Sequence, residues 1–162
     1  MTHKEIEKWL DQYGIKNYTI RPDGVVDVNE GIYLGGFSIS ILPIQFGRVV
    51  GRFDCAHSQL SSFKGFPETI DGDFFCHDTQ IKSFSGVDKV IGQINGLFTC
   101  DDDATYLLGL LLIKGITTFY IDADATDKGP IHSIFNKYVG TGDILSAQDE
   151  LIDAGFIDQA RL

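Results

Sequence analysis

Small apolar residues recur at Val28, Val49, Ile70 and Val90, in steps of 21, 21 and 20 positions. The segment Val49-Val50-Gly51-Arg52-Phe53-Asp54-Cys55 returns as Ile70-Asp71-Gly72-Asp73-Phe74-Phe75-Cys76, and more loosely as Val90-Ile91-Gly92-Gln93-Ile94-Asn95-Gly96. The residues that follow also recur: Gln59-Leu60-Ser61-Ser62-Phe63-Lys64-Gly65-Phe66 is matched by Gln80-Ile81-Lys82-Ser83-Phe84-Ser85-Gly86-Val87. A unit this short cannot bury its apolar face alone, so neighbours must stack. The pattern predicts an α/β fold: a short solenoid of parallel strands with a period of about 21 and helical N- and C-terminal caps.

The flanks supply the caps. Thr2-His3-Lys4-Glu5 has the form of a capping box, and Ile6, Trp9, Leu10 and Tyr13 share one face of a helix from about Lys4 to Tyr13, with Gly14 placed for a left-handed end. Pro22-Asp23-Gly24 joins strand-like runs at Tyr18 to Arg21 and Val25 to Val28. After the repeats, Ala104 to Ile113 reads as a buried helix and Thr118 to Asp122 as a last strand. Pro130 starts a helix running to about Tyr138, and Asp143 caps another through Asp153 that ends at Gly155. Ile131, Ile134 and Phe135, then Leu145, Leu151 and Ile152, are the faces expected to pack on the stack. The chain is expected to be one domain, 1–162, with an N-terminal helix and hairpin cap at 1–27, repeats at 28–98, and a C-terminal strand and helical cap at 99–162.

Within the repeats, Phe53-x-Cys55-x-x-Ser58-x-Leu60-x-x-Phe63 and Phe74-x-Cys76-x-x-Thr79-x-Ile81-x-x-Phe84 follow the L-x-L-x-x-N-x-L pattern. Ile32-x-Leu34-x-x-Phe37-x-Ile39-x-x-Leu42 keeps its apolar positions and lacks the polar one. This resembles the leucine-rich-repeat family, with Phe, Ile and Cys in place of most leucines and Ser58 or Thr79 in place of the ladder asparagine. The Asn17-Tyr18-Thr19-Ile20-Arg21-Pro22-Asp23-Gly24 hairpin ahead of cysteine-containing repeats is similar to small leucine-rich-repeat-like proteins of tailed bacteriophages. So is the tail with Asn136-Lys137-Tyr138-Val139-Gly140 and Glu150-Leu151-Ile152-Asp153-Ala154-Gly155. That resemblance implies a phage origin and a host protein as partner.

Charge narrows the partner. Acidic side chains number 23 against 13 basic ones, for a net charge of −10, which sets aside nucleic acid and anionic membrane surfaces. Asp101, Asp102, Asp103, Asp122, Asp124 and Asp127 crowd one stretch that holds the single base Lys114. Such a patch either steers a basic partner or is solvated loop charge. The longest apolar run, Tyr106 to Ile113, is far short of the ~20 residues of a membrane helix. The N-terminal residues lack a secretory pattern, and three cysteines, Cys55, Cys76 and Cys100, fit a reducing compartment. The expected location is the cytoplasm, that of the bacterial host if the chain is phage-encoded.

Strand alternation assigns the faces. With Phe53, Cys55, Phe74 and Cys76 inward, Arg52, Asp54, Ala56, Asp73, Phe75 and His77 point outward. Tyr33, Asp54, Phe75 and Asn95 then form one line at a spacing of about 4.8 Å, a composition suited to a binding hot spot with Phe75 as its leading contact. The alternative is that the C-terminal segment folds over the sheet and buries Phe75 as core. Cys55, His57, Cys76 and His77 are residue types that zinc prefers, but Cys76 faces in while His77 faces out, so no metal site is expected. Parallel neighbouring side chains also disfavour a disulfide between Cys55 and Cys76. Phosphate loops, dinucleotide fingerprints and helical zinc-protease motifs are absent. No cofactor and no catalysis are expected.

These features predict a non-enzymatic protein–protein interaction module that inhibits a host defence or toxin protein. Its contact residues would be Tyr33, Arg52, Asp54, Asp73, Phe75, His77, Asn95, Asp101, Asp102 and Asp103. The alternatives are a sponge that stacks a nucleotide-like ligand on Tyr33 and Phe75, a metal-dependent enzyme using paired aspartates such as Asp101 and Asp103 or Asp122 and Asp124, and a self-assembling structural protein.

Overall fold

The computed structural model describes residues 1–121 and 129–162. It is a mixed α/β fold with two sheets dominated by parallel pairing and with helices at both ends. The first helix, α1 (His3–Gln12), starts at the capping box: Glu5 N–H donates to Thr2 Oγ1 at 3.4 Å and Thr2 N–H to Glu5 Oε2 at 2.7 Å. Ile6 and Leu10 are buried on the predicted face, and Gly14 follows with φ of 73°. Strands β1 (Tyr18–Ile20) and β2 (Val26–Val28) form the expected antiparallel hairpin.

From there the chain alternates between two sheets. One runs β1, β2, β4 (Phe46–Val49), β6 (Thr69–Ile70) and β8 (Gln93–Ile94). The other runs β3 (Ile32–Tyr33), β5 (Phe53–Asp54), β7 (Phe74–Phe75), β9 (Leu97–Cys100) and β10 (Thr118–Ile121). In the second sheet Ile32, Phe53, Phe74, Phe98 and Phe119 are successive partners. The sequence phase at Val90 is therefore corrected. Ile94 pairs with Ile70, and the motif of the third rung returns as Ile94-Asn95-Gly96-Leu97-Phe98-Thr99-Cys100. The cause is the short helix α2 (Val87–Val90), which takes up extra residues between the sheets. Parallel pairing also continues past residue 98, because β10 adds to β9.

The core lies between the sheets, and aromatic rings thread it from end to end. Ring centroids run Trp9 to Phe46 at 6.2 Å, Phe46 to Phe53 at 6.2 Å, Phe53 to Phe74 at 5.7 Å, Phe74 to Phe98 at 5.3 Å, Phe98 to Phe119 at 5.8 Å and Phe119 to Phe135 at 5.3 Å. All are tilted or edge-on, the geometry that ring quadrupoles favour. Ser58 and Thr79 are buried, and each bonds within its own turn, Ser58 to the Leu60 amide and Thr79 to Cys76 O and the Ile81 amide.

The apolar run Leu107–Leu112 is a 3₁₀ helix of 6 residues, shorter and tighter than the helix expected over Ala104 to Ile113. Helices α3 (Pro130–Tyr138) and α4 (Ile144–Asp153) start at Pro130 and at Asp143, whose carboxylate accepts from Ser146 N–H. In α4 the packed face is Ile144, Ala147 and Leu151, which share the helical i, i+3, i+7 spacing. Leu145 and Ile152, expected to pack, lie on the next face and are 74% and 46% exposed. At the outer edge of β10, the Asn136 side chain accepts from Phe119 N–H at 2.9 Å and donates to Phe119 O at 2.8 Å.

The hairpin is tied to the first sheet by Asp27. Its carboxylate accepts from Arg21 Nε at 2.8 Å, Arg21 Nη2 at 2.7 Å and Arg48 N–H at 2.8 Å. The hydrogen bonds from Arg21 are the main cause holding the Asp27 carboxyl below its ordinary value. A carboxylate depressed in the fold stabilises it above the unfolded value of about 3.9 and loses that contribution as pH falls through the folded value. Asp27→Asn should cost about 1 kcal/mol at neutral pH, modest because the pair is partly solvated. In urea melts the gap to the native protein should close as pH drops from about 5 to about 2. A gap that stays constant would show that Asp27 acts through shape and not charge.

Candidate functional site

The outward side of the second sheet carries Tyr33, Asp54, Phe75 and Thr99 in register. Thr99 occupies the place expected of Asn95. The longer rung moves Asn95 to the end of β8, where it is exposed, accepts from Gln93 Nε2 at 2.8 Å and donates to Asp71 Oδ1 at 3.4 Å. Tyr33 is 60% exposed. Asp54 is half-buried, and its carboxylate accepts the Ala56 amide at 3.1 Å. Ala56 itself, expected outside, is buried, because the chain has begun to turn there and strand alternation no longer holds.

Arg52, Asp73 and Phe75 come together. The Arg52 guanidinium lies 4.4 Å from the centre of the Phe75 ring and its Nη2 is 3.4 Å from Asp73 Oδ2. Asp73 also accepts Leu97 N–H at 2.9 Å. Among the described residues, the Arg52 guanidinium covers the half-buried Phe75 ring, while α3 and α4 contact β10 and the 3₁₀ helix. A cation over an aromatic face is worth roughly 0.5–1 kcal/mol at an exposed site. It holds the ring in place while leaving one edge open to solvent.

Beyond the strands each rung turns a corner. Gly36, His57 and Asp78 hold that corner in successive rungs, all left-handed, with φ of 77°, 56° and 52°. Left-handed backbone is unusual for residues other than glycine. The turn lets His57, His77 and Asp78 converge: the imidazole rings meet edge-on at 5.2 Å, and His57 Nδ1 is 3.1 Å from Asp78 Oδ2. His77 Nδ1 is in turn 2.7 Å from the hydroxyl of Thr99, which is buried.

The next feature along the corner is a cavity of about 430 Å³ lined by Asp78, Thr79, Gln80, Lys82, Asp101, Asp102 and Asp103. Lys82 Nζ lies 3.0 Å from both Asp103 oxygens and 3.6 Å from Asp101 Oδ2. The bond to Asp103 is the main cause raising the Lys82 ammonium above its ordinary value. Asp101 Oδ1 accepts the Asp78 amide at 2.8 Å. Asp102 leaves its carboxylate without a partner among the described residues. Asp122, Asp124 and Asp127 lie outside the described residues, so the acidic group placed here is Asp78 with Asp101 to Asp103.

The cysteines stand apart from this surface. Cys55, Cys76 and Cys100 are free, buried thiols. Cys55 Sγ donates to Phe75 O at 3.3 Å and Cys76 Sγ to Thr99 O at 3.0 Å. Burial pushes all three well above the ordinary thiol value, so they are un-ionised and poor nucleophiles. Asp78, Lys82 and Thr99 are members of the site that strand alternation did not single out. The spacing of His57 and Asp78, one repeat apart, is the sequence signal that places them side by side.

No described helix is long and apolar enough to cross a membrane. Compared with protein-family models, with curated proteins and with solved structures, the chain matches none.

Proposed function

We propose that the chain is a protein–protein interaction module without catalytic activity, built as a leucine-rich-repeat-like solenoid with a period of about 21. We take it to be phage-encoded and to act in the host cytoplasm on a host defence or toxin protein with a basic surface. The observation that carries the reading is the run of unlike side chains along one face. The exposed Tyr33 and the Arg52-braced Phe75 lead directly to the cavity ringed by Asp78, Asp101, Asp102 and Asp103. Aromatic anchors beside a charged recess are the composition of a contact surface. Four carboxylates against Lys82 favour a lysine or arginine side chain over phosphate, nucleic acid or an anionic membrane.

The test is capture of a partner from host lysate, followed by binding kinetics with that purified partner. The native protein is compared with Phe75→Ala and with a variant carrying Asp101→Asn, Asp102→Asn and Asp103→Asn. Electrostatic steering raises association rates by about 10–10³-fold, so the triple variant should associate at least about tenfold more slowly. Added salt should slow the native protein in the same way, since the Debye length falls from about 10 Å at 0.1 M to about 3 Å at 1 M. Phe75→Ala should act on dissociation instead, costing about 2 kcal/mol. A partner bound equally by all three proteins, at a rate indifferent to salt, would sink this assignment of the surface.

A further inference from the structure

The geometry points to a binding site for a divalent transition-metal ion, Zn²⁺ foremost, formed by His57, His77 and Asp78. One ligating atom from each of the three residues lies within 4.8 Å of those of the other two. Around a zinc ion with bonds of about 2.0–2.2 Å, ligand atoms stand somewhat closer than this. Small side-chain rotations are enough to close the set, because His57 and Asp78 are exposed and His77 is half-buried.

The chemistry selects the ion. Two imidazoles and one carboxylate are borderline nitrogen and hard oxygen donors, the set that suits Zn²⁺, Co²⁺, Ni²⁺ or Fe²⁺. Mg²⁺ and Ca²⁺ want oxygen ligands throughout. Three protein ligands leave at least one coordination position open to water or to a donor from another molecule.

The surroundings orient the ligands in the way metal sites require. In the tautomer that donates Nδ1–H to the Thr99 hydroxyl, His77 presents Nε2 as its free donor. Thr99 is buried, so this bond also fixes the plane of the ring. The Asp78 main chain is pinned by its amide bond to Asp101 Oδ1. Backbone conformation contributes as well: His57 and Asp78 both hold left-handed φ values at a corner where the preceding rung has Gly36. A β-carbon in that region is strained, and what the chain gains there is the convergence of the three side chains. The expectation of no metal site rested on Cys76 facing in while His77 faces out, and it concerned the set Cys55, His57, Cys76 and His77. Strand parity does not reach His57 and Asp78, which sit past the end of their strands. The site stands on its own geometry: His77 and Asp78 also belong to the surface proposed for the partner, but metal binding is measured without any partner present.

Titration of the purified chain with Zn²⁺ against a chromophoric chelator should give one saturable equivalent. Co²⁺ in place of Zn²⁺ should develop visible absorption, reporting nitrogen and oxygen ligation. His77→Ala and His57→Gly should each abolish that equivalent. Glycine is chosen at 57 because Gly36 fills the same corner, and both variants should keep the native circular dichroism and melting temperature. Thr99→Val should weaken binding about 10–100-fold without abolishing it, as loss of an orienting bond does. His3→Ala should leave binding unchanged. An absence of saturable Zn²⁺ binding, binding retained in both histidine variants, or displacement of Zn²⁺ by an equal concentration of Mg²⁺ or Ca²⁺ would each overturn the site.

Discussion

Phe74→Ala is expected to destabilise the fold by about 3–5 kcal/mol, the range for removing a large ring from a packed core. Phe74 is completely buried at the middle of the aromatic thread, with ring centroids 5.7 Å from Phe53, 5.8 Å from Phe66 and 5.3 Å from Phe98. Deleting it removes contacts on three sides. The gap cannot close easily, because β7 is held by backbone pairing to β5 and β9 and cannot move inward without breaking one ladder. The neighbouring Phe75→Ala is the control: its ring is on the other side of the same strand, half-buried beneath Arg52, and should cost about 1 kcal/mol in stability. Urea denaturation of the two variants checks both values together. If Phe74→Ala were no worse than Phe75→Ala, the core would have to be far more pliable than its interlocked rings indicate.

Gly65→Ala should be similarly damaging, by a different route. Gly65 has φ of 83°, where a side chain is strained, and a β-carbon there would run into the Ile44 carbonyl oxygen and come within 2.8 Å of Leu42 Cβ. Strain alone amounts to roughly 1–3 kcal/mol, and the clash with main chain adds to it because backbone cannot rotate away. Gly65 O also accepts Phe46 N–H at 3.0 Å, so any shift that relieves the clash strains the entry to β4. A loss above about 2 kcal/mol is expected. Gly86, the corresponding residue of the next unit, is also left-handed but has nothing within 4 Å of an added β-carbon. Gly86→Ala should therefore show the conformational cost alone, and thermal melts of the pair separate strain from collision. Equal losses would place the whole effect in φ.

Much of this architecture is legible in the chain. The capping box, the Asn17 to Val28 hairpin and the pairing of Ile32, Phe53 and Phe74 follow from local chemistry and a fixed period. Pro130 and Asp143 likewise mark the helix starts they were assigned. The fourth rung was misplaced because Val90-Ile91-Gly92 imitates Ile70-Asp71-Gly72, while the true match, Phe98-x-Cys100, lies a few residues on behind the helical turn Val87–Val90. A fixed period absorbs no insertion, so by count Asn95 falls into a row that belongs to Thr99. The acidic corner was partly foreseen through Asp101 to Asp103, but Asp78 and Lys82 join it only because adjacent rungs stack there. The spacing of His57 and Asp78 carries the one signal for their meeting; the turn of His77 toward them is not legible, because alternation describes strands and these residues act where the strand has ended. Backbone twist at a corner is set by φ values that composition does not reveal.

The amide of Asn136 has a consequence for how long such a molecule can be. A ladder of parallel rungs carries no instruction for its own length, since the last strand offers the next the same hydrogen-bonding edge that it took from the one before. Asn136 offers Phe119 one acceptor and one donor, the two groups a further strand would supply at that residue, on a side chain that cannot itself be extended. It works as a chain terminator does in polymer chemistry: it occupies the growing end with a unit of the right valence and no second site. The opposite edge of the same sheet is β3, a strand of only 2 residues. At the β10 edge the main chain of Phe119 is thus closed by a single amide, placed by a helix that arrives only after the ladder is complete.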